Sequence, residues 1–348
     1  MVGAEERAIV AGGKDGVIAA GEDPEVGPGA EAAEAILRRV REGGLLVPGR
    51  PVVVLFSGGR DSTCLLELAV RIAGRAAVSA LHVNYRLRAE ADADERHCQT
   101  LARRLGVPLE VRRPRRPAGG NLQAWAREER YRAAAELAEA RGADVAAGHT
   151  ASDQVETILY RLASSPSRRA LLGMSPRDGR LVRPLLELTR AQTAAYCTAR
   201  GLPWREDESN ASDRYARGRV RAQLVPALES IHPAAGANVL ALAEILRQEA
   251  AVLDELVEQA LEGRAEIELE RLRRLPVALR RLVVQRLADQ AVGRPAPGSG
   301  RRAEEIAAMG RHAMLDLPHG VRAITRGGIL RFMPRTESAG RRPRATPT

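Results

Sequence analysis

The feature that most constrains this chain is a short apolar run, Val52-Val53-Val54-Leu55-Phe56, that stops abruptly at Ser57-Gly58-Gly59-Arg60-Asp61-Ser62. An unbroken apolar run, without the polar alternation of a half-exposed strand, marks a strand covered on both faces. A helical pattern follows through about Ala73, so the glycines sit at a strand-to-helix turn. Glycine there lets the backbone turn tightly and aim its N–H groups at an anion, and the helix presents its positive end to the same place.

The same alternation continues. Val78 to Val83 reads as a second strand, and a helix over about 92–105 ends at Gly106. Pro108 to Val111 reads as a third strand. Asn121 suits the N-cap of a helix that runs to Gly142. Asp144 to Ala147 reads as a fourth strand, and Ser152 suits the cap of a helix to about Ala163. Strands alternating with helices at this spacing imply an α/β fold built on a doubly wound parallel sheet, which binds its ligands at the carboxyl ends of the strands. Past about residue 222 the periodicity is helical. One stretch carries Leu242, Ile245, Leu246, Leu253, Leu256 and Val257. A second, over about 268–291, is interleaved with Arg271, Arg273, Arg274, Arg280, Arg281 and Arg286. The segment from about Met314 to Met333 has room for short strands. The expected organisation is a disordered tail at 1–30, the α/β domain at 31–222, a smaller, mostly helical domain at 223–334 and a second disordered tail at 335–348.

Charge narrows the function. The 348 residues hold 54 Lys+Arg against 44 Asp+Glu, a net of +10, while residues 1–48 carry nine acids and five bases. A basic body points to a polyanionic partner, nucleic acid first, against the alternative of solvated arginine-rich faces. Lys14 is the only lysine, which excludes a Walker A, kinase or Schiff-base lysine from the folded body. Cys64, Cys98 and Cys197 are scattered, so neither a disulfide framework nor a Cys-x-x-Cys metal site is expected. No apolar run approaches the roughly 20 residues of a membrane helix. With no basic-then-apolar leader, the expected location is cytoplasmic.

Within the Ser57–Ser62 loop, backbone N–H groups and two serine hydroxyls make a phosphate cradle that needs no lysine; a ligand-free tight turn is the alternative. Asp61 inside that cradle would repel phosphate unless a cation lies between, which implies Mg²⁺. His149 and Asp153 lie just past the fourth strand, at the same sheet edge. A second carboxylate there suits a shared Mg²⁺ bridging the bound phosphates, while a helix-capping or core role is the alternative for His149. Arg127 and Arg130 share one helix face, where they could stabilise a leaving pyrophosphate, hold an RNA phosphate, or pair with Glu128 and Glu129. Arg217, Arg219 and Arg221 alternate, as suits an extended segment facing a polyanion or an exposed basic linker.

The loop resembles the S-G-G-x-D-S signature of the PP-loop ATP pyrophosphatase superfamily. Further stretches narrow the resemblance to tRNA(Ile)-lysidine synthetases. These are His82-Val83-Asn84 with Leu87-Arg88, Asn121-Leu122 through Arg130-Tyr131, Gly148-His149 through Asp153-Gln154 and Glu156-Thr157, Leu172-Gly173-Met174, Arg183-Pro184-Leu185-Leu186, Asp207 with Ser209-Asn210, and Asp213, Tyr215, Arg217, Arg219 and Arg221. They run in family order over about 51–228. Tyr85, Ser152, Ser164–Ser167 and Gly218 depart from the pattern.

The resemblance implies ATP bound by Ser57, Gly58, Gly59, Arg60, Asp61, Ser62 and His82, with Mg²⁺ on Asp61 and Asp153. Its catalytic group would be Asp61, Asp153, His149, Arg127, Arg130 and Arg221. The implied substrates are tRNA(Ile) with a CAU anticodon and free L-lysine, and a homodimer is left open. The implied reaction adenylates the anticodon wobble cytidine and then joins lysine to its C2. A tRNA thiolase of the same superfamily and an inactive RNA-binding paralogue are the alternatives.

Overall fold

The computed structural model describes residues 28–165, 168–205 and 216–335. Lys14, the tails at 1–27 and 336–348, and Asp207, Ser209, Asn210, Asp213 and Tyr215 lie outside the described residues.

The α/β region runs α1 (Pro28–Glu42), β1 (Val52–Leu55), α2 (Arg60–Ala73), β2 (Val78–Val83), α3 (Ala91–Leu105), β3 (Leu109–Arg112), α4 (Leu122–Arg141), β4 (Asp144–Ala146), α5 (Ala151–Ser164), α6 (Arg168–Leu171), β5 (Arg177–Asp178), β6 (Leu181–Val182) and α7 (Arg190–Ala199). Its sheet has the order β3-β2-β1-β4-β6-β5 and is parallel except for the β5–β6 hairpin. The unbroken apolar run has its expected consequence. Val52, Val54 and Phe56 face a core shared with α1, α2 and α7, while Val53 and Leu55 face a second core against α4. Chain order reverses at β1, which lies between β2 and β4. The carboxyl ends of β1 and β4 therefore flank the crevice where a doubly wound sheet receives its ligand.

Helix ends follow local chemistry. The Asn121 side chain accepts from the N–H groups of Gln123 (3.1 Å) and Ala124 (3.2 Å), and Gly106 and Gly142 close α3 and α4 in the left-handed conformation. The cap of α5 is a correction. Thr150, not Ser152, is the N-cap, in a capping box with Asp153. Ser152 stands one residue inside the helix.

The C-terminal region comprises α8 (Ala216–Arg219), a π-helical turn at Val220–Leu224, α9 (Val225–Ile231), α10 (Ala235–Leu261), β7 (Glu266–Glu268), α11 (Leu269–Arg274), α12 (Val277–Val292), α13 (Ala303–Ala307), β8 (Ala313–Leu317), β9 (Val321–Arg326) and β10 (Ile329–Pro334). The last three strands and β7 form an antiparallel sheet, β7-β10-β9-β8, against the helices. Three expectations change here. Arg217, Arg219 and Arg221 lie on helical turns, not on an extended segment. Pro276, which cannot donate the amide bond a continuous helix needs, divides 268–291 into α11 and α12. Leu242, Ile245 and Leu256 are exposed, because α10 spans two cores. Its first half packs on α5 through Val239 and Leu240, and its end joins the C-terminal core through Val257 and Leu261.

Candidate active site

Ser57–Ser62 closes on itself at the β1 end. The Ser62 hydroxyl donates to the Gly59 carbonyl (2.9 Å) and accepts from the Ser57 amide (3.2 Å), and the Ser57 and Ser62 hydroxyls are 3.0 Å apart. Gly58 has φ +84°, and a Cβ there would stand 2.9 Å from Cys98 Sγ. Both its conformation and its close packing therefore require glycine. Gly59 precedes the first turn of α2, so the helix dipole points into the loop. His82 is buried beneath, with Nδ1 2.9 Å from the Phe56 carbonyl and 3.3 Å from Cys98 Sγ. In these contacts it braces the loop from below.

The β4 end meets this loop closely. A Cβ on Gly148 would lie 3.1 Å from the Asp61 carbonyl oxygen and 3.2 Å from the Ser62 nitrogen. A side chain there would press on the Asp61–Ser62 peptide, which would have to shift by a few tenths of an ångström. Next to it stands His149, whose Nδ1 is buried without a hydrogen-bond partner. Burial, reinforced by Arg183, Arg127 and Arg130 and opposed by Asp153, pushes its pKa down to about 4. The imidazole is therefore neutral at physiological pH. Arg127 lies over the Tyr131 ring at 4.8 Å. Arg130 Nε donates to the Tyr85 hydroxyl (3.3 Å), which donates to the Ala126 carbonyl (2.7 Å). Tyr85, one of the departures, thus holds Arg130 in place.

The two carboxylates differ. Asp61 Oδ1 accepts from Thr193 (2.5 Å) and from Arg60 Nε (3.2 Å), and among the described residues its Oδ2 has no hydrogen-bond partner. Asp153 Oδ2 accepts from the Thr150 amide (2.8 Å) and hydroxyl (2.9 Å), and its Oδ1 accepts from Arg190 Nη2 (2.8 Å). Asp61 therefore has an oxygen open to a cation. Asp153 is already engaged on both oxygens, by the α5 cap and by Arg190.

Arg221 binds Glu156 through two contacts, Nε to Oε1 (2.6 Å) and Nη2 to Oε2 (2.9 Å), and Arg190 Nη1 reaches the same carboxylate at 3.1 Å. These charges line a cavity of about 310 Å³ between the start of α5 and α9–α10, with Ser152, Glu229 and Leu240. Sequence reasoning missed Arg190, Thr193 and Arg205. The Thr189-x-x-Gln192 capping box makes the start of α7 legible, but its approach to α2 and α5 crosses more than thirty residues of chain and leaves no local signal. Arg205 donates its amide to the Gly58 carbonyl (3.0 Å) and its guanidinium to Asp94.

A PP-loop domain model matches residues 31–228. The tRNA(Ile)-lysidine synthase of Symbiobacterium thermophilum is 38% identical over 333 residues, covering 85% of this chain and 69% of that protein. The chain belongs to the tRNA(Ile)-lysidine synthase family. Another family member, from Pseudomonas aeruginosa, is 41% identical over 211 residues, covering 58% of this chain and 47% of its own length. The chain spans about half the length of several such curated relatives. In fold, it is similar to the U34-tRNA thiolase NcsA from Methanococcus maripaludis, with a TM-score of 0.53 at 16% identity, covering 62% of this chain and 79% of that one.

Proposed function

We propose that this chain joins L-lysine to C2 of the wobble cytidine of a CAU-anticodon tRNA(Ile), using ATP and yielding lysidine, AMP and pyrophosphate. The observation that carries the reading is the crevice itself. A phosphate cradle with one open carboxylate oxygen faces a neutral imidazole and a group of arginines at the sheet's reversal point, in a chain of this family.

ATP phosphates would lie on the Ser57–Ser62 amides, and Asp61 would hold Mg²⁺, which would offset phosphate charge beside that carboxylate. Thr193 and Arg60 fix Asp61 Oδ1 and so the orientation of the carboxylate. The cytidine C2 carbonyl oxygen attacks the α-phosphate and pyrophosphate departs. Arg127 and Arg130 stabilise the charge that builds up on the phosphates. The lysine ε-amine then attacks C2 and AMP leaves. His149, neutral at physiological pH, would offer a hydrogen-bond acceptor to the incoming amine. Asp153 acts at one remove, by capping α5 and orienting Arg190. The thiolase alternative has no support from the thiols, since Cys64, Cys98 and Cys197 are all buried.

ATP–pyrophosphate exchange tests the reading. Exchange should appear when the CAU-anticodon tRNA is added and be absent with an unrelated tRNA. Exchange without any tRNA would refute cytidine adenylation.

A further inference from the structure

Four successive backbone carbonyls, Leu172 to Ser175, each accept from a different side chain. Leu172 accepts from Arg247 Nη1 (3.0 Å), Gly173 from Arg161 Nη1 (2.6 Å), Met174 from Gln154 Nε2 (2.9 Å) and Ser175 from Arg183 Nη1 (2.5 Å). Gln154 also accepts from the Met174 amide at 2.6 Å, so one α5 side chain clasps the loop by both edges of its amide. The result is a rigid ladder that gathers guanidiniums.

The acceptors of these bonds are uncharged. Many of its arginines meet carboxylates: Arg221 meets Glu156, Arg190 meets Asp153, and Arg247 itself meets Glu244 at 2.7 Å. Arg161 and Arg183 are held by neutral carbonyls and form no ion pair among the described residues. A carbonyl orients a guanidinium without cancelling its charge. Arg183 is 7% exposed, and its Nε is buried with no partner. An unmet donor on a buried cation is costly unless a ligand completes it. Two more cations stand near. Arg127 lies over Tyr131, and Arg217 lies over Tyr160 at 5.8 Å. Burial, together with Arg217, Arg183 and Arg127, disfavours the charged form of Arg161, and burial likewise disfavours that of Arg183, with Tyr131 and Asp178 opposing and Arg127 reinforcing.

We infer that Arg161 and Arg183, set on the Leu172–Ser175 carbonyl ladder with Arg217 beside them, form an anion site, distinct from the Ser57–Ser62 cradle, that takes a backbone phosphate of the RNA substrate. The inference rests on the RNA-modifying reading above. Arg161 lies ten residues along α5 from its start, roughly 15 Å of helix, whereas the nucleotide cradle adjoins that helix's first turn. Arg183 follows β6, beyond β4 from the cradle. A polynucleotide that puts one base in the crevice continues past it and brings further phosphates to these cations.

The test is binding of a CAU-anticodon tRNA(Ile) transcript to the full chain between 50 and 300 mM KCl without ATP or lysine, alongside ATP affinity measured separately. Arg161→Gln should weaken tRNA binding by roughly tenfold and reduce the log–log salt slope by about 0.7 to 0.9, with ATP affinity kept within twofold. Arg161→Lys, which keeps the charge but not the fork, should keep the slope and lose affinity severalfold. Arg217→Gln, an exposed substitution, gives a second reading of the slope should Arg161→Gln not fold. An unchanged slope in the folded variants, or a loss of ATP affinity in its place, would overturn the site. Failure of the wild-type chain to make lysidine would instead refute the proposed function and leave the salt measurement to stand or fall alone.

Discussion

Glu156→Gln is the substitution for which the structure gives the most definite magnitude. The Glu156 side chain is 7% exposed and carries one negative charge against two guanidiniums, Arg221 on both oxygens and Arg190 on one. Glutamine keeps the shape, removes the charge and turns one acceptor into a donor facing an arginine. Removing one partner of a buried ion pair costs about 3–5 kcal/mol. Two features reduce that here. Arg190 keeps Asp153 at 2.8 Å, and the side chains of Arg190 and Arg221 are 27% and 34% exposed, so water recovers part of their solvation. The expected loss is about 2–3 kcal/mol. Arg221 belongs to the π-helical turn that leads into α9, so the loss should fall on the join between the two parts of the chain. Urea denaturation followed by circular dichroism would show the midpoint moving down. A cycle with Arg221→Met should give a coupling above about 1 kcal/mol. A loss under about 0.5 kcal/mol, the range of exposed pairs, would refute the claim that this is a buried clamp.

Three further outcomes follow from the site. Asp61→Asn should abolish ATP–pyrophosphate exchange with the fold intact, while Asp153→Asn should mainly lower stability, by about 1 kcal/mol for the weakened cap together with release of Arg190. Equal exchange defects with unchanged stability would instead make Asp153 a metal ligand. His149, with its pKa lowered to about 4, is neutral when folded but protonates near 6.5 when unfolded. Its contribution to stability is therefore whole above about pH 6.5 and is lost as pH falls toward 4, by up to roughly 3 kcal/mol. His149→Asn should lack that slope, and an identical pH–stability profile would count against the buried neutral imidazole. Gly148→Ala should lower exchange more than tenfold through displacement of the Asp61–Ser62 peptide, read as kcat at saturating ATP.

Much of the α/β half is legible in the chain because its signals are local. The Val52–Phe56 run gives a strand covered on both faces, Asn121 and Gly142 bound α4, and the two glycines mark the turn. The site is legible as far as the strand ends go. Ser57–Ser62 and Gly148-His149 are separate in sequence and converge because β1 and β4 are neighbours. What escaped reading depends on contacts between distant segments. Ser152 and Thr150 are both good caps by composition, and Asp153 chooses between them by bonding back to Thr150. Arg190 and Thr193 gain their roles only when α7 packs beside α2. The arginine-rich stretch at 271–286 reads as a free basic face, yet Arg271 meets Glu262, Arg280 meets Glu304, and Arg286 meets Asp254 and Glu258. Arg161 and Arg183 are bonded to carbonyls with no ion pair among the described residues, and periodicity carries no sign of it.

The most direct test of the central claim is mass spectrometry of nucleosides from a CAU-anticodon tRNA(Ile) transcript after incubation with this chain, ATP, Mg²⁺ and isotopically labelled L-lysine. The account predicts loss of the wobble cytidine and a labelled product equal to cytidine plus lysine less one water, dependent on ATP and absent with Asp61→Asn. A sulfur-bearing nucleoside, or unmodified cytidine under conditions where both tRNA and ATP are bound, would contradict it.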